Sequence, residues 1–125
     1  DHAYANGYTV VREIGGHGVG LQFHEDPFVS YVSEPGTGMV MAPGMMFTIE
    51  PMVNMGTDEF YVDEVDEWQI YTEDGQPSAQ WEVQVLVTKD GYELIAYQIL
   101  LILTRKRKAL KKRSAFLFYY FIIFI

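Results

Sequence analysis

His17 stands inside Gly15-Gly16-His17-Gly18-Val19-Gly20, a run rich in glycine. Imidazole is the commonest metal ligand and general base, and flanking glycines let another group come close. Glu50 lies in a run where Met45, Phe47 and Ile49 alternate with Met46, Thr48 and Glu50. A carboxylate in an otherwise apolar strand is costly to bury unless it is paired or metal-bound. Glu82 has the same relation to Trp81 and Val83. Taken singly, these are a structural loop histidine and two solvent-facing strand glutamates. Taken together, two inward carboxylates are hard oxygen ligands which, with one imidazole, suit Mn, Fe(II), Co or Zn, with water as a further ligand. A carboxylate bridging two such ions would place a hydroxide for attack on a carbonyl. His24, seven residues after His17, would then donate to the developing oxyanion. Its plain reading is a loop histidine bonded to backbone.

The elements that must hold these groups are strands. Asn6-Gly7 signals a turn or a helix stop, and Tyr8 to Val11 reads as a strand start. Residues 1–14 show little sign of helix. Residues 21–44 carry Pro27, Pro35 and Pro43 with Gly36, Gly38 and Gly44, and read mostly as loop. Met45 to Val53 alternates, with Pro51 limiting its pairing. Asp58, Glu59, Asp63, Glu64, Asp66 and Glu67 form an acidic, solvated edge. Trp68 to Thr72 reads as a strand and Glu73 to Pro77 as a turn. From Gln80 to Thr88, Trp81, Val83, Val85 and Val87 share one face, and Gln80, Glu82 and Gln84 the other. Lys89-Asp90-Gly91 marks a tight hairpin turn, with Tyr92 to Ala96 returning. The body reads as a mostly antiparallel β assembly.

Charge divides the chain. Of 125 residues, 17 are acidic and 9 basic, for a net charge of −8. All the acidic residues precede residue 94, and only Arg12 and Lys89 are basic before residue 105. The body is therefore strongly acidic, which argues against nucleic acid as a partner, since phosphate binding needs clustered Lys and Arg. Residues 105–113 are basic, and Ala115 to Ile125 is apolar without a charge. That apolar run falls short of the roughly 20 residues of a spanning helix and fits an aggregation-prone segment better. A basic run beside an apolar one also allows a membrane-surface anchor as a weaker reading. There is no cysteine, hence no disulfide and no thiolate chemistry. No signal-peptide pattern opens the chain, and a cytoplasmic location is expected.

The wording of the motifs is specific. Gly16-His17-Gly18-Val19-Gly20 followed by Phe23-His24-Glu25-Asp26-Pro27 closely resembles the histidine segments of the methionine aminopeptidases. Pro43 to Asn54, containing Thr48-Ile49-Glu50-Pro51, is similar to their glutamate strand. Ser78-Ala79-Gln80-Trp81-Glu82, then Val87 to Gly91, looks like their final glutamate hairpin. The blocks run in the family's order from about Tyr8 to Ala96. Proline-specific aminopeptidases share some of this wording, but usually carry Gly-x-Tyr after the first glutamate block and Arg before the last glutamate. Met52-Val53-Asn54 and Gln80-Trp81-Glu82 favour the methionine enzymes, and Ser-Ala-Gln resembles the bacterial type I form. Val83 departs from the histidine often found there.

The resemblance implies an α+β pita-bread fold and hydrolytic removal of the initiator methionine. It implies two divalent ions (Co, Mn, Fe(II) or Zn), with His17, Glu50 and Glu82 as ligands and Glu82 bridging. Glu50 would be the acid/base partner of the attacking water. His24 would contact the scissile peptide. Phe23 and Trp68 would wall the methionine pocket, unless they are plain core aromatics. Thr48 would support the ligands from behind. The N-terminal methionine of nascent peptides would be the substrate, with the ribosome nearby and a monomer as the complete form. The family's aspartate ligands lie upstream of its Gly-His-Gly segment, and only 16 residues precede His17 here. Residues 1–97 are thus expected to be a C-terminal part of the catalytic domain, inactive alone, and residues 98–125 a tail foreign to it. The alternatives are a non-catalytic pita-bread binding module and a related proline-specific aminopeptidase.

Overall fold

The computed structural model describes residues 1–96 and the backbone of residues 97 and 101–102. One helical turn, α1 (His2–Ala5), opens the chain. It stops at Gly7, whose φ of 78° is easy for glycine and whose N–H reaches Tyr4 O at 3.1 Å. Strands follow: β1 (Thr9–Val10), β2 (Gly16–Gly18), β3 (Glu25–Val29), β4 (Met46–Ile49), β5 (Met52–Asn54), β6 (Phe60–Val62), β7 (Ile70–Thr72), β8 (Ser78–Gln80), β9 (Val83–Val87), β10 (Tyr92–Tyr97) and β11 (Leu101–Ile102).

They pair into a four-stranded sheet ordered β1-β5-β8-β11, a five-stranded sheet ordered β10-β9-β4-β2-β3, and a β6-β7 ribbon. Every described pairing is antiparallel. The β9–β10 hairpin turns at Asp90-Gly91, where Thr88 N–H reaches Gly91 O at 2.9 Å, as the Asp-Gly signal requires. The core lies where Val11, Met52 and Ile70 are buried together, with Ile14 and Phe60 packed on them. Each such side chain contributes about 1.5–3 kcal/mol by leaving water.

Four expectations change. Residues 1–14 do contain a helical turn, though α1 has no buried residue. The Pro- and Gly-rich stretch contains β3, which pairs with β2 along the edge of the larger sheet. The alternating run from Gln80 to Thr88 is not one strand. It breaks at Trp81-Glu82 into β8 of one sheet and β9 of the other. The Met45–Val53 run likewise breaks at Glu50-Pro51 into β4 and β5.

These breaks lie side by side. Ile49 pairs with Val83 in the larger sheet, and Met52 pairs with Gln80 in the smaller one. Between those pairs, Glu50-Pro51 and Trp81-Glu82 carry the two strands together from one sheet to the other. Pro51 has no N–H to donate, so a gap in the ladder at this point costs little. The expectation that residues 98–125 are foreign to the domain falls outside the described residues, apart from β11, whose backbone pairs with β8.

Candidate active site

Both glutamates sit at the seam where the paired strands change sheets, and His17 approaches from β2, the neighbour of β4. His17 Nε2 lies 3.4 Å from Glu50 Oε1. The other ring nitrogen, Nδ1, lies 3.0 Å from Gly18 O. A carbonyl only accepts, so Nδ1 carries a proton and donates it there. This leaves Nε2 to face Glu50.

Glu50 is 6% exposed, and its polar atoms are satisfied as burial demands. Thr48 Oγ1 donates to Glu50 Oε1 at 2.6 Å and accepts His17 N–H at 2.9 Å. Gln80 Nε2 donates to Glu50 O at 3.0 Å and to Glu50 Oε2 at 3.2 Å. The Glu50 N–H donates to Tyr31 Oη at 2.6 Å. Thr48 therefore bonds both residues, while Gln80 and Tyr31 are further partners of Glu50 that the sequence reading missed. Gln80 left a faint signal, two positions before Glu82 on a strand. Tyr31, in a Pro- and Gly-rich stretch, left none.

Glu82 is half-buried in the seam. Burial first, then the Glu50 charge, holds its carboxyl above the ordinary range, and His17 opposes that shift. The three groups thus share one electrostatic neighbourhood. Among the described residues, however, no three His, Asp or Glu side chains converge tightly enough to hold an ion by themselves.

His24 packs edge-on against His17 with ring centroids 4.3 Å apart, and Phe23 stands 4.3 Å from His24 and 5.8 Å from His17. Partial burial, and after it the His17 charge, lowers the His24 pKa, with Glu50 pulling the other way. Phe23 is exposed rather than a core aromatic. Trp68 is also exposed, in the β6–β7 loop, where Asp66 Oδ1 accepts its N–H at 2.9 Å. Asp66 anchors its backbone in that loop.

The chain's sequence matches the profile of metallopeptidase family M24 over residues 1–89. The chain belongs to metallopeptidase family M24. Among similar proteins, the methionine aminopeptidase of Chlamydia muridarum is 48% identical over 89 residues, covering 71% of this chain and 30% of that protein. The Escherichia coli K12 methionine aminopeptidase is 46% identical over 91 residues, 73% of this chain and 34% of that one. The crystal structure of methionine aminopeptidase from Rickettsia prowazekii superposes with a TM-score of 0.72 at 41% identity, covering 74% of this chain and 38% of that chain. The chain spans about a third of the length of these relatives. At that identity the shared architecture is the pita-bread fold of the M24 enzymes.

The M24 family uses divalent metal, and the donors present suit one chemically. Two carboxylates and an imidazole are hard and borderline ligands. A metal-binding histidine ordinarily donates its second ring N–H to a carbonyl or carboxylate, as His17 does to Gly18 O. His17 Nε2 and Glu50 Oε1, 3.4 Å apart, are two donors that a cation between them would satisfy.

Proposed function

We propose that this chain supplies part of the active site of a metal-dependent methionyl aminopeptidase, a hydrolase that removes the N-terminal methionine from nascent polypeptides. The observation that carries this reading is the contact of His17 Nε2 with a buried, fully supported Glu50 at the seam between two sheets. The names of the relatives support it. Residues 1–97 belong to the catalytic domain in this reading, and residues 98–125 lie outside it.

His17, Glu50 and Glu82 would hold the divalent ions, which the complete enzyme takes as a pair drawn from Co, Mn, Fe(II) or Zn. When bound, the ions supply Lewis acidity toward a carbonyl and toward water. The chain's own residues do the rest. Glu50 accepts a proton from the attacking water and passes it toward the leaving amine. Thr48 and Gln80 fix one Glu50 oxygen each, so the carboxylate cannot rotate away during the transfer. His24, braced between His17 and Phe23, donates a hydrogen bond to the oxygen of the scissile peptide. Phe23 and Trp68 offer apolar surface for the methionine side chain. A nascent-chain substrate supports cytoplasmic action near the ribosome, and the complete enzyme would act as a monomer. No helix among the described residues is long and apolar enough to cross a membrane.

The test is a graft. Residues 8–96 replace the matching segment of the Escherichia coli enzyme, and methionine release from a Met-Ala-Ser peptide is measured. Release that Glu82→Ala and a chelator both abolish is the expected result. Release indifferent to both, or no release from a folded graft that takes up metal, sinks the proposal.

A further inference from the structure

The backbone ladder between β2 and β4 consists of one described pair, Gly18 with Phe47. Beyond it, toward the seam, side-chain hydroxyls take over. His17 N–H goes to Thr48 Oγ1 at 2.9 Å instead of to a main-chain carbonyl. One step further, Glu50 N–H goes to Tyr31 Oη at 2.6 Å. Tyr31 comes from the far side. It follows β3, and β2 lies between β3 and β4 in the sheet. Its side chain must therefore pass β2, and it does so at Gly16. A Cβ added to Gly16 would stand 2.8 Å from the Tyr31 hydroxyl and would also collide with the Thr48 backbone. Only glycine leaves this path open. The phenol is half-buried, so its hydrogen bond is sheltered from competing water.

We infer that Tyr31 is a positioning residue whose hydroxyl, reaching across Gly16, fixes the backbone at Glu50 and thereby the spacing of Glu50 from His17. This rests on the reading of that pair as the functional centre. Thr48 ties the two residues from within the sheet, and Tyr31 ties Glu50 to β3, the strand that follows the His24 segment. The glycine before His17 then has a specific purpose, the passage of a side chain.

The full 125-residue chain, labelled with ¹⁵N, tests this by NMR. Tyr31→Phe keeps the ring and removes the acceptor. Glu50 amide exchange should rise about tenfold, as for a lost sheltered hydrogen bond, and the His17 ring signals should move. Tyr92→Phe, on an exposed ring, should change neither. Mn(II) affinity, read by paramagnetic broadening of the His17 ring, should fall about tenfold while the thermal midpoint stays in place. Unchanged Glu50 and His17 signals in Tyr31→Phe overturn the inference, even if Mn(II) binds. Altered signals with no Mn(II) binding in either form support the positioning role and remove the metal-site reading instead. Should Tyr31→Phe fail to fold, the unmodified chain decides. A Glu50 amide protected at least about tenfold relative to a loop amide supports the bond, and one exchanging like a loop amide overturns it.

Discussion

His17 Nε2 and Glu50 Oε1 face each other at 3.4 Å although they stand on different strands, with Thr48 bonded to both residues. The Thr48 hydroxyl accepts from the His17 backbone and donates to the Glu50 carboxylate. One small side chain, 2% exposed, therefore sets the position of one group and the orientation of the other.

Thr48→Val keeps the shape and removes that hydroxyl. It leaves the His17 N–H without its acceptor and Glu50 Oε1 without its donor. The expected cost is about 1–3 kcal/mol, the usual penalty for stranding sheltered polar groups. Urea denaturation of the two forms measures it. A change within error of zero would mean that water replaces the hydroxyl.

Gln80→Ala acts on the other oxygen of Glu50. In the grafted enzyme it should lower kcat by about 10–100-fold with a much smaller effect on KM, as expected for a residue that orients a reacting group. Steady-state kinetics on the Met-Ala-Ser peptide distinguish this from a binding defect, which would raise KM and spare kcat.

Gly16→Ala places a methyl group against the Thr48 backbone and the Tyr31 hydroxyl. Overpacking of this kind costs about 1–3 kcal/mol. Thermal denaturation reads the loss. A variant as stable as the parent would show that the β2–β4 approach is looser than described.

Met52→Ala probes the core. Met52 is 1% exposed and packs with Val11 and Ile70. Truncation should cost about 2–5 kcal/mol, a large fraction of the stability of a domain this size. Denaturant titration checks it, and a loss under about 1 kcal/mol would contradict the burial.

Acid should loosen the loop around Asp74. Its Oδ1 accepts Gln76 N–H at 2.9 Å and its Oδ2 accepts Thr57 N–H at 2.8 Å. Those bonds, Gln76 first, hold its carboxyl below the usual range. A carboxylate with a depressed folded pKa contributes stability above its unfolded pKa, about 4, and loses it as pH falls through the folded value. Glu82, held above the ordinary range, has the opposite sign and offsets part of this slope in the whole protein. The comparison with Asp74→Asn isolates the first effect. The gap in urea midpoint between the two forms should be widest near neutrality and shrink below about pH 4. A gap independent of pH rules out the ionised cap.

Local wording in the chain was enough to determine several things. Alternation placed β4 and β9, Asp90-Gly91 placed the hairpin turn, and the three motif blocks singled out His17, Glu50 and Glu82 along with the family. These signals are local: they depend on side-chain period, turn chemistry and short words, which a linear reading captures. Tertiary structure alone decided where the strands change sheets. Alternation continues smoothly through Trp81-Glu82, so nothing in the period shows that Gln80 pairs in one sheet and Val83 in the other. Tertiary structure also decided the supports. Tyr31 and Gln80 lie 19 and 30 positions from Glu50, and a hydrogen bond across that separation has no periodicity to announce it. It exists because β3, β2 and β4 lie side by side, and because Gly16 leaves the space through which a phenol can reach.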